Sequence, residues 1–224
     1  MEHTPFQYTI EGAPDYAFLE VKLPQDISVK VEASSMATLD TNIEMKTKFK
    51  GGLSRLLSGE SIFINEFTAK NGSGKIGIAP STPGDIRHLY LDGSQVVYLQ
   101  NSGYLASSSG VVVESKFQGL MKGFFSGEGL FLVKCSGIGD LFFNSYGAII
   151  EMNVADGYIV DTGNIVAFTD GLQYDITTIG GYRSLFLSGE GLVAKFRGVG
   201  KLWVQTKKVR PLVYWANPFR PQKG

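Results

Sequence analysis

The sequence predicts an all-β protein, and three observations carry that prediction. Twenty-eight glycines in 224 residues are dispersed as turns rather than gathered in a linker. Fifteen Phe and ten Tyr lie among short alternating runs, the pattern of many strands joined tightly. A short motif, Ser58-Gly59-Glu60, returns as Ser126-Gly127-Glu128 and Ser188-Gly189-Glu190, each time in the same surroundings.

The recurrence divides the chain. A Gly-plus-apolar segment precedes each Ser-Gly-Glu, and a strand-like run, a Gly-x-Gly turn and a second run follow it. Glu60 and Glu128 are 68 residues apart, and Glu128 and Glu190 are 62 apart. Such spacing reads as three β repeats of roughly 60 residues, over 16–80, 86–147 and 149–208. Residues 1–15 form an N-terminal segment and 209–224 a C-terminal Pro/aromatic arm.

In the N-terminal segment, Phe6 to Ile10 is a possible strand. The first repeat opens with Tyr16 to Leu23, a turn at Pro24-Gln25-Asp26, and Ile27 to Val31, which together read as a hairpin. Thr38 to Phe49 continues as strand, broken by Asp40, Thr41 and Asn42. Leu89-Tyr90-Leu91, Asp92-Gly93-Ser94 and Val96 to Leu99 restate the order. Ile149 to Val154, Ala155-Asp156-Gly157 and Tyr158 to Val160 restate it again. Gly-x-Gly at 72–74, 137–139 and 198–200 reads as hairpin turns, with the glycine before Lys75, Asp140 and Lys201 supplying a positive φ. Helix is expected to be scarce, at most one turn at Leu53–Leu57.

The arm holds Pro211, Pro218 and Pro221 among Leu212, Tyr214, Trp215 and Phe219. Apolar surface left in water costs about 25 cal/mol per Å². Leu212 to Trp215 are therefore expected to dock as an extended arm, with Leu212, Tyr214, Trp215 and Phe219 the candidate subunit contacts.

Composition excludes several functions. Lys plus Arg and Asp plus Glu both total 21, so the basic excess of a phosphate-binding surface is missing. Lys201, Lys207, Lys208 and Arg210 read as solvated strand ends. Lys195-Phe196-Arg197 and Lys201-Leu202-Trp203 come nearest to a single-stranded RNA face, yet a buried aromatic between solvated charges is the ordinary amphipathic strand. The single cysteine, Cys135, forbids an intrachain disulfide and reads as a buried, inert thiol. The start has no secretory signal. The uncharged run from Ser94 to Val113 is too polar for a transmembrane segment. A cytoplasmic protein is expected.

No catalytic set emerges. His3 and His88 lack a second histidine at ligand spacing, which argues against a cupin-type metal site. Ser-Gly-Glu-Gly is not a nucleophile elbow, and the Gly-x-Gly turns lack the strand–helix setting of phosphate loops. Glu60, Glu128 and Glu190 have two readings, a ring of carboxylates able to hold a cation or three braces paired within their turns. Duplication alone delivers three copies, which favours the brace. No cofactor, metal or enzymatic activity is expected.

Leu56-Leu57-Ser58-Gly59-Glu60-Ser61-Ile62-Phe63-Ile64-Asn65, Ile78-Ala79-Pro80 and Pro83-Gly84-Asp85-Ile86 resemble the family named for altered inheritance of mitochondria protein 24. Ser102 to Ala106, Phe125 to Phe131 and Gly198-Val199-Gly200 share the likeness, which spans about 16–208. It implies a β-sandwich of the short double-stranded β-helix type, similar to the tryptophan RNA-binding attenuation protein, in trimers whose repeats build a ring. It implies no catalytic residues, and with no targeting peptide in view the mitochondrial role of eukaryotic relatives is not carried over. The function expected is a non-catalytic oligomeric scaffold or interaction protein. The alternatives are a small-ligand or ion binder using clefts between repeats and, more remotely, an RNA binder.

Overall fold

The structure, a computed structural model, describes residues 5–48, 64–117, 131–178 and 192–220. The N-terminal strand β1 (Gln7–Glu11) leads into β2 (Phe18–Leu23), β3 (Ser28–Glu32), β4 (Met36–Leu39), β5 (Ile43–Lys48), β6 (Ile64–Ala69) and β7 (Gly74–Ile78). The next stretch gives β8 (Ile86–Asp92), β9 (Val97–Gln100), a 3-10 turn, β10 (Tyr104–Ser108), β11 (Val111–Phe117) and the long β12 (Phe131–Asn144). The last gives β13 (Ile149–Val154), β14 (Tyr158–Asp161), a 3-10 turn, β15 (Ile165–Thr169), β16 (Leu172–Thr178), β17 (Leu192–Gly198) and β18 (Gly200–Gln205). The chain then forms a helix, α1 (Val209–Ala216), and a 3-10 turn at Asn217–Phe219. The protein is all-β, as its glycine and aromatic pattern predicts. Alternation drives the strands: Leu19, Val21 and Leu23 of β2 and Val29 and Val31 of β3 point inward while their neighbours face out.

The strands pair antiparallel throughout. β2 lies between β1 and β7, and β4 covers the other side of β7. The C-terminal half of β12 is flanked by β8 and β10, and β18 is flanked by β13 and β15. The three inner contacts share one irregularity. A bulge falls between Met36 and Thr38 on β7, between Tyr104 and Ala106 on β12, and between Ile165 and Ala167 on β18.

Two expected features are corrected. The Pro24-Gln25-Asp26 turn does not close a hairpin: β2 pairs with β1 and β7, whereas β3 pairs with β6 and β10. Asp26, at φ 62°, turns the chain out of one sheet into another. Likewise the Gly-x-Gly sites are corners, not hairpins. β6 and β7 are not neighbours, β17 and β18 are not neighbours, and 137–139 lies inside β12. Positive φ belongs to the first glycine of each site, 121° at Gly72, 99° at Gly137 and 97° at Gly198, and of the glycines before the charged residue only to Gly139, at 138°. Gly74 and Gly200 are needed for space instead, since a Cβ would press on Asn42 and Ile43 in one case and on Thr169 and Leu172 in the other.

The core is divided in three. The first cluster takes Leu19 to Ile78 side chains together with Ile86, Leu105, Ala106 and Phe142. The second gathers Leu91, Val97, Leu99, Val133 and Leu141 with Ile149, Val166, Ala167 and Trp203. The third holds Val154, Val160, Phe168, Leu172, Phe196 and Leu202. The first two clusters thus each close on the same four positions of the stretch that follows.

The arm is also corrected. Residues 209–216 are helical, because Pro211 stands in the first turn, where its missing N–H leaves no bond unmade. Arg210 lies over the Tyr214 ring at 5.6 Å and Trp215 against Phe219 at 5.5 Å, both four residues apart. No residue of α1 is buried against the chain's own core. Among the described residues no helix is long and apolar enough to cross a membrane.

Candidate functional site

The three glutamates singled out by the motif, Glu60, Glu128 and Glu190, lie outside the described residues, as does His3. The polar groups the structure does bring together form a buried cluster, a seam cavity and an exposed helix.

The buried cluster centres on Asp140, fully enclosed on β12. Its Oδ1 is hydrogen-bonded to His88 Nε2 at 2.8 Å, and its Oδ2 accepts from the Phe6 amide at 3.0 Å. Ser108 Oγ accepts the Asp140 amide at 2.6 Å and reaches Oδ2 at 3.4 Å. The Tyr8 ring packs on His88, which packs on Phe142. The carboxylate therefore ties β1, β8 and β10 to β12. Ser108 faces the carboxylate and not the imidazole, so the three residues are not arranged as a nucleophile, base and orienter.

Equivalent ties occur twice more. Lys75 Nζ meets Glu20 at 2.7 Å, and Lys201 Nζ meets Glu151 at 2.6 Å. Glu20, His88 and Glu151 stand opposite Gly77, Phe142 and Trp203 respectively, the residues that face the strand after each bulge. In the middle tie the acidic and basic side chains stand on exchanged strands. Glu151 also accepts from Trp203 Nε1 at 2.9 Å, and the Lys201 hydrogen bond holds its carboxyl below the usual range. Sequence reading noted Lys75, Asp140 and Lys201 as a Gly-charged step but missed the partners. The signal was Glu20, His88 and Glu151 at one place in each apolar run.

The seam cavity, about 70 Å³, lies where the end of β9 and the 3-10 turn after it meet β12, β15 and β18. Gln100, Ser102, Asn144, Ser145 and Gln205 line it, and Val209 at the start of α1 flanks it. Asn144 is buried, and its Oδ1 has no hydrogen-bond partner among the described residues. A buried carbonyl in that state calls for a donor, and the space admits a small polar molecule or water.

The other sequence candidates resolve into structure. Cys135 is fully buried, and burial pushes its thiol up to about 12. Lys201 and Lys208 pair with Glu151 and Asp161, and Lys207 lies over the Tyr146 ring. Phe196 and Trp203 are core residues. Among the described residues no group of three or more His, Cys, Asp or Glu could hold a metal ion. Leu212, Tyr214, Trp215 and Phe219 form an exposed apolar surface, with Trp215 at 68% and Phe219 at 74% exposure.

Comparison with known proteins agrees with this architecture. An uncharacterized protein of Streptococcus pyogenes serotype M6 is 32% identical over 213 residues, 89% of this chain and 85% of that protein. The X-ray crystal structure of a Streptococcus pyogenes protein, a structural-genomics target, superposes with a TM-score of 0.81 at 28% identity. That match covers 96% of this chain and all of the other. The family model described as mitochondrial biogenesis AIM24 matches residues 8–207, from β1 through β18, and the chain belongs to that family.

Proposed function

We propose that this protein is a non-catalytic, self-associating β scaffold that acts through its surfaces. The observation that carries this reading is α1 with the turn after it. Leu212, Val213, Tyr214, Trp215 and Phe219 stand in water on a segment with no buried residue, at about 25 cal/mol for each Å² left uncovered. A second copy of the chain is the occupant that relieves this cost. We read 16–80, 86–147 and 149–208 as copies of one β unit, similar to the tryptophan RNA-binding attenuation protein. The recurring bulge and the recurring cross-strand tie support that reading.

The non-catalytic part draws on what the polar groups already do. Asp140, His88 and Ser108 spend their hydrogen bonds joining strands, and Cys135 is sealed. An unpaired, protonated thiol suits a reducing compartment, and we place the protein in the cytoplasm. Relatives from a bacterium, which has no mitochondria, favour a structural role over one tied to that organelle. RNA binding is the weaker reading, since Phe196 and Trp203 lie in the core rather than on a stacking surface.

Light scattering at micromolar concentration tests self-association: a mass above one chain is expected, falling when Trp215→Glu and Phe219→Glu are combined. A monomer in the wild type would end this reading. The Asn144 carbonyl favours a second one, a small polar ligand held in the seam. Native mass spectrometry of the freshly purified protein retaining an added mass that Asn144→Leu loses would support it, and a bare chain would dispose of it.

A further inference from the structure

We infer that the seam cavity binds a small uncharged amide, whose N–H donates to Asn144 Oδ1 and whose carbonyl accepts from Gln100. This rests on the second reading above, a polar ligand in the seam, and names the chemistry of that ligand.

The chain builds this corner twice. Asn144 ends β12 and Gln205 ends β18. The residue after each donates its amide to the carbonyl just ahead of a neighbouring strand: Ser145 to Asp85 at 3.2 Å before β8, and Thr206 to Ala148 at 3.1 Å before β13. In the later corner the carboxamide is fully used. Gln205 Oε1 accepts from the Tyr146 amide and its Nε2 donates to the Gly163 carbonyl, both at 2.9 Å. Tyr146 stands three residues before β13, and the residue three before β8 is Pro83. Proline has no N–H. The donor that completes Gln205 therefore has no counterpart in the earlier corner, where Asn144 is 4% exposed and its Oδ1 is unpartnered among the described residues.

The turn beside it differs in the same sense. Gln100 ends β9 and Asp161 ends β14, each directly before a 3-10 turn. Asp161 Oδ1 caps its turn by accepting from the Gly163 amide at 2.8 Å, whereas Gln100 makes no side-chain cap. Two polar groups that the later corner spends internally are thus held back in the earlier one, and both line the cavity. Ser145 and Thr82, also on its wall, are committed to backbone. Ser145 Oγ donates to the Gly147 carbonyl at 2.6 Å, and Thr82 Oγ1 to the Ser145 carbonyl at 3.3 Å.

Charge and size set the ligand class. No described residue lining the cavity carries a charge, so an ion would lose its hydration with nothing to replace it. The buried carbonyl of Asn144 needs a donor, and Gln100 can donate in return through its Nε2. A primary amide carries both a donor and an acceptor on one carbon, the pattern that Gln205 supplies in the later corner. Val166 and Val209 offer an apolar wall to a short alkyl group. At about 70 Å³, where one water needs about 10–15 Å³, the cavity admits about five non-hydrogen atoms.

The test titrates the isotopically labelled full chain with propionamide, propionate and propylammonium, which share a propyl-sized skeleton and differ in charge. The readout is the nuclear magnetic resonance shift of the Asn144 and Gln100 side-chain amides. Propionamide is expected to move both saturably, with the two ions at least tenfold weaker. Asn144→Leu, followed on Gln100, should weaken propionamide at least tenfold. Gln100→Ala, followed on Asn144, leaves the buried position intact and should weaken it at least threefold. No saturable shift, an equal response to all three probes, or unchanged binding in a folded Asn144→Leu or in Gln100→Ala overturns the inference. If native mass spectrometry then still finds a retained mass that Asn144→Leu loses, the seam reading stands and only the ligand class falls. A bare chain with no response to propionamide overturns both, and self-association is judged apart from them by its scattering mass.

Discussion

Glu32, at the end of β3, carries the clearest electrostatic penalty among the described side chains. Burial pushes its carboxyl up to about 7, against the opposing pull of the Ser35 hydroxyl, which donates at 3.2 Å. A carboxyl raised in the folded state binds more protons there than in the unfolded chain between about 4.5 and about 7. Stability therefore falls as pH rises through that window, and the penalty is fully present above it. Glu32→Gln is expected to stabilise the protein by about 1–2 kcal/mol at pH 8, a figure reduced for the group's partial exposure. Below about pH 4.5 the gain should vanish, because wild-type Glu32 is then neutral too. Urea unfolding at the two pH values measures it, and an equal difference at both would refute the assignment. The ties around Lys75, Asp140 and Lys201 make a further point at this scale. Position after position was visible as a charged residue behind glycine, but its partner was not. The pairing depends on which strand lies alongside, and the middle tie places its acid and its imidazole on exchanged strands, so no single residue type marks the partner.

At the scale of elements, the corner glycines separate two physical demands that the sequence presents alike. Gly72, Gly137 and Gly198 all have positive φ, but a Cβ at Gly72 meets nothing within 4 Å. A Cβ at Gly137 runs into the Gly110 carbonyl, and one at Gly198 into the Gly171 carbonyl. Gly72→Ala should cost about 1 kcal/mol, the strain of the backbone alone. Gly137→Ala and Gly198→Ala should cost about 3 kcal/mol or more, since backbone atoms cannot give way cheaply. Chemical denaturation of the three variants checks the ranking, and equal losses would show that φ strain alone sets the cost. Strand positions such as Phe18–Leu23 and Ser28–Glu32 were legible from alternation. Their pairing was not. A turn of Pro24-Gln25-Asp26 between two alternating runs fits a hairpin and a sheet-to-sheet corner equally well, and only the third dimension decides. The helix at Val209–Ala216 escaped for a related reason: three prolines suggest an extended chain, yet Pro211 falls in the first turn and Pro218 beyond the last, the two places where a helix tolerates them.

For the whole molecule, the sharing of cores between stretches sets how it unfolds. Ile86, Leu105, Ala106 and Phe142 close the first core, and Ile149, Val166, Ala167 and Trp203 close the second. Neither core is complete within its own sixty or so residues, so the stretches behave as one cooperative unit rather than as beads. The two tryptophans report this directly. Trp203 is buried in the second core, its ring 5.7 Å from Phe143, while Trp215 stands on the exposed helix. In a Trp215→Phe variant, all indole fluorescence comes from Trp203. Its thermal or urea transition is expected to coincide with the far-UV circular dichroism transition, which averages over the strands of every stretch. Trp203→Ala, which empties the second core of its largest side chain, should lower that single transition by about 3–5 kcal/mol. It should not split off a separately melting third stretch. Two resolved transitions in either variant would mean that the shared side chains do not couple the cores. The third core, which closes on no later stretch of its own chain, would then be the first to open.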